Sequence, residues 1–245
     1  MNVVVTENYD ASCAYVADMI CALVNEKPAC KLGLATGGTP VPMYQKLIAA
    51  NQAGKVDFSQ VRTVNLDEYC GIPETHDQSY RYFMNTNLFD HININKANTF
   101  VASGMGDAEK NAAQLEEKVR EGGSADLQLL GIGNNGHIAF NEAASQLHAT
   151  AHVETLTEST IEANARFFEK KEDVPTTAIT MGMGDILAAK CVVLIATGLS
   201  KVDAITGLVM NDVITTQNPS SMLKMHENVV VVIDKELADA VGYKA

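Results

Sequence analysis

In the stretch Leu32-Gly33-Leu34-Ala35-Thr36-Gly37-Gly38-Thr39-Pro40, a short apolar strand runs into a glycine turn and then into a helix. Pro40 fits the first helical position, where its missing N–H costs nothing, and Thr39 is the predicted N-cap. Gly54 suits the C′ position that ends such a helix. The stretch therefore predicts a strand–turn–helix unit of an α/β fold.

The glycine turn inside this unit also predicts an anion site. Gly37 and Gly38 allow the backbone to approach a ligand, and a helix N-terminus presents free N–H groups to a phosphate. No Gly-Lys-Ser/Thr follows, so the turn is not a Walker loop.

Similar units follow along the chain, where short apolar runs alternate with helix-like stretches. Most of the runs are continuous rather than alternating, as in strands buried on both faces of a parallel sheet. They are Val3–Val5, Leu32–Ala35, Val61–Leu66, Leu127–Ile132, Ala178–Met181, Cys191–Ala196 and Val229–Ile233. The helix-like stretches include Ala11–Asn25, Val41–Ala53, Asp107–Glu121 and Lys201–Met210. This order predicts a three-layer α/β sandwich with a mostly parallel central sheet, forming one domain over residues 1–245.

Charge and composition narrow the class of partner. The 245 residues carry 18 lysines and arginines against 30 aspartates and glutamates, a formal net charge of -12. Such a chain repels nucleic acid and anionic membranes, and no basic patch offsets it. Apolar runs are too short to cross a membrane, the N-terminus lacks a basic leader, and the five cysteines form no C-x-x-C pair. We expect a cytoplasmic protein whose cysteines mostly lie in the core; a homo-oligomer remains possible.

Four polar turns follow predicted strands, and the carboxyl ends of parallel strands form the ligand crevice of open α/β sheets. They are Thr36–Thr39, Asp67–Tyr69, Gly131–His137 and Thr197–Lys201. One such turn can merely redirect the chain, whereas four at one edge favour a binding site.

Asp67 and Glu68 lie in the second turn, at the end of a strand. Partial burial raises the pKa of a carboxyl group and suits it to act as a general base. Because adjacent residues of an extended chain point in different directions, we expect only one of the two to face a substrate.

The third turn, Gly131–Gly136, matches G-x-G-x-x-G, and Glu154 lies near the distance of a ribose-binding acid, so a dinucleotide-dependent oxidoreductase is an alternative. His137 follows the last glycine directly, with Asn135 and Glu142 close in sequence. This grouping favours acid–base chemistry over a dinucleotide site.

Two cations could hold an anion at this edge. Lys201 opens a predicted helix after a strand, and Arg166 lies in a segment of helical period. Either one alone would more often be a solvated surface charge.

Together these motifs resemble the glucosamine-6-phosphate deaminase (isomerising) family along nearly the whole chain. The matching segments are Leu34–Pro40, Asn65–Tyr69, Gln78–Tyr80 with Phe83-Met84, Gly136–Glu142 and Asn164–Phe168. The resemblance implies a Rossmann-like fold shared with ribose-5-phosphate isomerase and the CoA transferases. It also implies conversion of D-glucosamine 6-phosphate and water to D-fructose 6-phosphate and ammonia, without metal or nucleotide cofactor.

The resemblance assigns roles to individual residues. Asp67 would move the C2 proton, and His137, oriented by Asn135 and Glu142, would open the pyranose ring. The sugar phosphate would lie between Gly38, Thr39, Arg166 and Lys201. The polar segment Thr157–Val174, which carries Arg166, is the predicted lid.

Two departures from the family pattern stand out. Asn135 replaces an aspartate of well-known members; it keeps the ability to accept a hydrogen bond from the imidazole but not the charge. His152 and Glu154 occupy the positions where allosteric members carry an arginine and a lysine for N-acetylglucosamine 6-phosphate, so we expect no activation by that ligand.

Two further alternatives remain. A 6-phosphogluconolactonase would share the fold and a Gly-His turn, but it needs no carboxylate such as Asp67 to abstract a proton. A non-enzymatic sugar-phosphate sensor that acts on DNA would need a basic helix-turn-helix, which the N-terminus does not show.

Overall fold

The computed structural model describes the backbone of residues 1–244 and their side chains except those of 159 and 163; the predicted domain limit at Ala245 lies outside it. The strands are β1 (Asn2–Thr6), β2 (Lys31–Leu34), β3 (Arg62–Asn65), β4 (Asp67–Tyr69), β5 (Thr99–Phe100), β6 (Leu127–Leu130), β7 (His152–Thr155), β8 (Thr177–Thr180), β9 (Val192–Ala196) and β10 (Val229–Asp234). The α-helices are α1 (Tyr9–Glu26), α2 (Val41–Gln52), α3 (Tyr80–Met84), α4 (Ala108–Arg120), α5 (Glu158–Asn164), α6 (Met183–Leu187), α7 (Val202–Ile205) and α8 (Lys235–Val241).

Across residues 1–244 the strands form two sheets. The main sheet has seven strands, all parallel, in the order β1-β10-β9-β6-β2-β3-β5. The smaller sheet has three antiparallel strands in the order β4-β8-β7. With helices flanking the main sheet, the chain is the predicted three-layer α/β sandwich.

The central strands of the main sheet form the core. Every residue of β2, β6, β9 and β10 is buried, which explains why their sequences are mostly apolar. Lys31 is buried at the start of β2 because its ammonium group donates to backbone carbonyls at the end of α4, Val119 O at 2.6 Å among them. Cys13 and Cys30 lie inside the core and the other three cysteines at its margin, so the prediction for cysteines holds in part.

Local capping fixes several helix limits. Asn8 and Asp107 accept hydrogen bonds from the first turns of α1 and α4. Gly54 has φ +69° and ends α2, and Lys55 N–H donates to Ala50 O at 2.9 Å, so the predicted C′ glycine is confirmed. The predicted Thr39 cap is wrong: α2 begins at Val41, no side chain caps it, and Thr39 O accepts the Tyr9 hydroxyl at 2.7 Å.

Three other local predictions need correction. The run Ala178–Met181 forms β8 of the smaller sheet rather than a strand of the main one, because it pairs antiparallel with β4 on one side and β7 on the other. The helix expected over Lys201–Met210 is broken into a 3-10 turn, α7 and a π turn. Strands β5 and β7 are absent from the sequence prediction because they are short or lie at a sheet edge.

In the part of the chain that the structure describes, no helix is both long enough and apolar enough to span a bilayer.

Candidate active site

The predicted polar turns do meet at the carboxyl edge of the main sheet. β2, β6 and β9 run parallel as neighbours, so the turns that follow them open on the same side. The turn expected at Asp67–Tyr69 is instead strand β4, which continues from β3 into the smaller sheet. Leu66 joins the two sheets, because its N–H donates to Leu34 O at 3.1 Å and its carbonyl accepts Met181 N–H at 2.8 Å.

Asp67 is the first residue of β4 and is only 6% exposed. Burial, with a smaller contribution from the neighbouring carboxylate of Glu68, raises the pKa of Asp67 to about 8. A buried carboxyl group that ionises only near pH 8 has the basicity that proton abstraction from carbon requires. The structure thus gives Asp67 the environment expected of a general base.

Glu68 points away from this position and holds the start of α3. Its Oε2 accepts the Ser79 hydroxyl at 2.7 Å and the Arg81 N–H at 3.1 Å, and its Oε1 accepts the N–H of Tyr80 at 2.9 Å. Burial raises the pKa of Glu68, although these hydrogen bonds oppose the rise. Of the two adjacent carboxylates, Glu68 is committed to structure, which agrees with the prediction that only one faces a substrate.

The loop after β6 places His137 with two glycines. A Cβ on Gly133 would lie 2.3 Å from the imidazole, and a Cβ on Gly136, which has φ +83°, would lie 2.0 Å from Asn218 Oδ1. Ala139 adopts φ +53°, a costly conformation for a residue other than glycine. The glycines therefore make room for side chains of the protein itself, and the imidazole fills the space over Gly133 that a pyrophosphate would need.

Glu142 is the acidic partner of His137. Its Oε2 lies 3.4 Å from His137 Nδ1 and accepts Asn135 Nδ2 at 2.9 Å, while its Oε1 accepts the hydroxyl of Thr160. Burial opposes ionisation, but the interactions with His137, Thr160 and Asn135 outweigh it and lower the pKa of Glu142 to about 2. The carboxylate is therefore ionised and available to stabilise an imidazolium.

Asn135 acts on the backbone rather than on the imidazole. Its Oδ1 accepts the backbone N–H of His137 at 3.1 Å, and its Nδ2 binds Glu142. The expectation that Asn135 accepts a hydrogen bond from the ring is wrong, because its oxygen accepts the backbone N–H of His137 instead. The amide links the backbone of His137 to Glu142, the other residue that was expected to orient the histidine.

The smaller sheet brings Asp67 and the His137 loop together. Thr180 of β8 lies opposite Asp67 in the ladder, and its hydroxyl accepts the N–H of Phe140 at 3.1 Å. The ring of Phe140 packs at 5.6 Å from that of Tyr69, measured between centroids. Asp67 and the His137 loop are thus attached to the same small sheet.

The sequence prediction missed an aromatic cluster that joins residues of β4 to the His137 loop. It consists of Tyr69, Tyr80, Phe140 and Phe168, with ring centroids 4.9 to 6.1 Å apart for the closest pairs. The segments Gln78–Tyr80 and Asn164–Phe168, which carry the family resemblance, supply two of its members. The repeated aromatic residues in these segments were the sequence signal from which the cluster could have been predicted.

The candidate phosphate region lies where three turns converge. Lys201 Nζ donates to Asn134 Oδ1 at 2.7 Å. Burial, and after it the charge of Arg166, lowers the pKa of Lys201, so the two cations act on each other. Arg166 is exposed and lies 4.6 Å from the centre of the Phe167 ring. Two cations close enough to affect each other's ionisation are suited to bind an anion.

The glycine turn completes this region. Gly37 has φ +90° and Gly38 is exposed at the tip of the turn. Within residues 1–244, no hydrogen bond uses the N–H groups of Gly37, Gly38 or Thr39. These donors are available to a ligand although Thr39 is not the helix cap.

Comparison with known proteins supports the same chemistry. The family model of glucosamine-6-phosphate isomerases and 6-phosphogluconolactonases matches residues 6–232. The chain belongs to this family. A glucosamine-6-phosphate deaminase of Clostridium beijerinckii is 49% identical over 242 residues, covering 98% of this chain and 100% of the relative.

Solved structures separate the two branches of the family. A monomeric glucosamine-6-phosphate deaminase superposes with a TM-score of 0.95 at 39% identity, covering 98% of this chain and 100% of the other. A 6-phosphogluconolactonase from Trypanosoma cruzi superposes with a TM-score of 0.77 at 20% identity, covering 97% and 96%. The second likeness shows the shared fold alone.

Proposed function

We propose that this family member is a glucosamine-6-phosphate deaminase, which converts D-glucosamine 6-phosphate and water to D-fructose 6-phosphate and ammonia. The observation that carries the proposal is the buried Asp67, with its pKa raised to about 8, on a small sheet whose Thr180 also contacts the loop of the His137–Glu142 pair. A lactone hydrolase has no carbon acid to deprotonate and no use for such a base. A cytoplasmic location agrees with the small, polar substrate and products.

His137 opens the pyranose ring in this proposal. Ring opening moves a proton from the O1 hydroxyl to the ring oxygen O5, and an imidazole can perform both halves of the transfer. The ionised Glu142, 3.4 Å from Nδ1, stabilises the imidazolium that forms between the two halves. The product of this step is the open-chain amino aldehyde.

Asp67 then performs the isomerisation. Its carboxylate takes the proton from C2 of the amino aldehyde, forming an enolamine, and returns that proton to C1. A proton passes from the amine to O1, which leaves a 2-imino sugar with a C1 hydroxyl group. Water adds to C2 of the imine, the C–N bond breaks, and ammonia and fructose 6-phosphate are released.

The phosphate stays bound throughout these steps. Lys201, Arg166 and the N–H groups of the Gly37–Thr39 turn supply positive charge and donors in a chain whose net charge is -12. Because this interaction is the same in the ground and transition states, it contributes to substrate affinity more than to turnover.

The test is to mix the purified protein with glucosamine 6-phosphate and follow ammonia and fructose 6-phosphate in parallel. Equal amounts of both products are expected. 6-Phosphogluconolactone serves as the control substrate, and its hydrolysis without any release of ammonia from the amino sugar would refute the proposal.

A further inference from the structure

Thr160, on α5 of the predicted lid segment, makes a contact that no sequence motif indicates. Its side chain is buried, 6% exposed, and its hydroxyl donates to Glu142 Oε1. The other oxygen of the carboxylate faces the loop, where it accepts Asn135 Nδ2 at 2.9 Å and lies 3.4 Å from His137 Nδ1. Glu142 is therefore held on one side by the loop and on the other by α5.

The direction of this hydrogen bond is fixed by the charge of Glu142, because an ionised carboxylate can only accept. Thr160 therefore donates its hydroxyl proton to Glu142, and its oxygen accepts the hydroxyl of Thr157, the N-cap of α5, at 3.2 Å. The backbone N–H of Thr160 is satisfied by Thr157, through the carbonyl oxygen at 3.0 Å and the side-chain oxygen at 3.3 Å, so the Thr160 side chain takes no part in capping the helix.

A second contact ties the same helix to the other half of the site. Asn164, at the end of α5, donates a hydrogen bond from its side-chain amide to the hydroxyl of Tyr69 at 2.8 Å. Tyr69 lies in β4, two residues after Asp67. α5 thus contacts the support of the base through Asn164 and the carboxylate partner of the histidine through Thr160. The two contacts can be broken separately by substitution.

We propose that Thr160 is a positioning residue through which α5 holds Glu142 in line with His137. The proposal rests on the deaminase function proposed above. Thr160 would not touch the substrate; it would act by fixing the carboxylate that stabilises the imidazolium during ring opening. The groups that act most on Glu142 are His137 from its loop, Asn135 from the turn before it and Thr160 from α5.

The first measurement is the carboxyl titration of Glu142 by ¹³C NMR, with the signal assigned by its loss in Glu142→Gln. In the wild type we expect Glu142 to stay ionised to the lowest pH at which the protein is folded. Thr160→Val removes a hydrogen bond to a charged group, which should raise the pKa of Glu142 by about 1 to 2. Thr160→Ser keeps the hydroxyl and should restore the wild-type titration.

The second measurement is steady-state kinetics of the same variants. Thr160→Val should lower kcat on the order of 10-fold with KM within about 2-fold of wild type, because base and phosphate sites are untouched. Thr160→Ser should recover most of kcat. If Thr160→Val does not fold, Thr160→Ala serves instead, since alanine is the best helix former.

Tyr69→Phe is the matched control, because it removes the other hydrogen bond of α5, from Asn164, and leaves Thr160 and Glu142 untouched. It should leave the titration of Glu142 unchanged. The proposal is overturned if Thr160→Val titrates like the wild type, if serine does not rescue, or if Tyr69→Phe shifts Glu142 equally, which would indicate a general effect of undocking α5. A wild type that releases no ammonia would refute the proposed function, while the titration would still decide the role of Thr160.

Discussion

Replacing Asp67 by asparagine should abolish most of the activity and at the same time stabilise the fold. The side chain keeps its shape, but it can no longer accept the C2 proton. Loss of a general base costs about 10²-fold or more in kcat, with substrate binding largely kept. The combination of the two effects is unusual, since most substitutions in buried positions destabilise.

The stabilisation follows from the raised pKa. An unfolded aspartate releases its proton near pH 3.8, whereas in the folded protein Asp67 keeps it until about pH 8. The unfolded state therefore binds fewer protons between these values, so this group's contribution to stability is fully present below pH 3.8 and is lost as the pH rises to 8. At pH 7 the cost to the wild type is on the order of 4 kcal/mol. Burial of the asparagine amide offsets part of it, leaving a gain of about 1 to 3 kcal/mol.

The assay is thermal or urea unfolding of Asp67→Asn and wild type between pH 5 and 8, together with kcat. The stability difference between them should grow by about 1.4 kcal/mol per pH unit over this range, whatever the constant cost of the amide. Asp18→Asn, an exposed carboxylate of α1, is the control and should change neither quantity. A variant with near-normal kcat, or a stability difference that does not vary with pH, would refute the reasoning.

Three further predictions concern the site. Lys201→Ala should raise KM for the sugar phosphate with kcat nearly kept, because the phosphate contact does not change during the reaction; steady-state kinetics with an unchanged KM would remove Lys201 from the site. In the wild type, kcat/KM should rise about 10-fold from pH 7 to 9, as Asp67 with a pKa of about 8 ionises in the free enzyme, and a flat profile would contradict this assignment. Glu68→Gln places an amide N–H against the donors of Ser79 and Arg81, so unfolding should show a loss of about 1 to 3 kcal/mol, with kcat far less affected than in Asp67→Asn.

Much of the fold was predictable because its signals are local. Short apolar runs indicated β1, β2, β3, β6, β9 and β10. The signal was clear for β2, β6, β9 and β10 because these strands are buried along their whole length and carry apolar residues on both faces. Gly54 marked the end of α2, because only a residue without a Cβ takes its conformation cheaply. The grouping of His137 with Glu142 was also predictable, because the two residues lie close together in one short loop.

The sequence by itself thus determined the parallel α/β sandwich, the edge at which the polar turns meet, and the chemical types gathered there. Tertiary structure alone set the difference between the two adjacent carboxylates. Asp67 and Glu68 are both buried, but donors at the start of α3 oppose the rise in the pKa of Glu68, whereas burial and the charge of Glu68 both raise the pKa of Asp67. Tertiary structure also decided the contact between Thr160 and Glu142, which lie 18 residues apart in the chain. Burial and hydrogen bonds between distant segments set pKa and orientation, and neither is encoded in a local pattern.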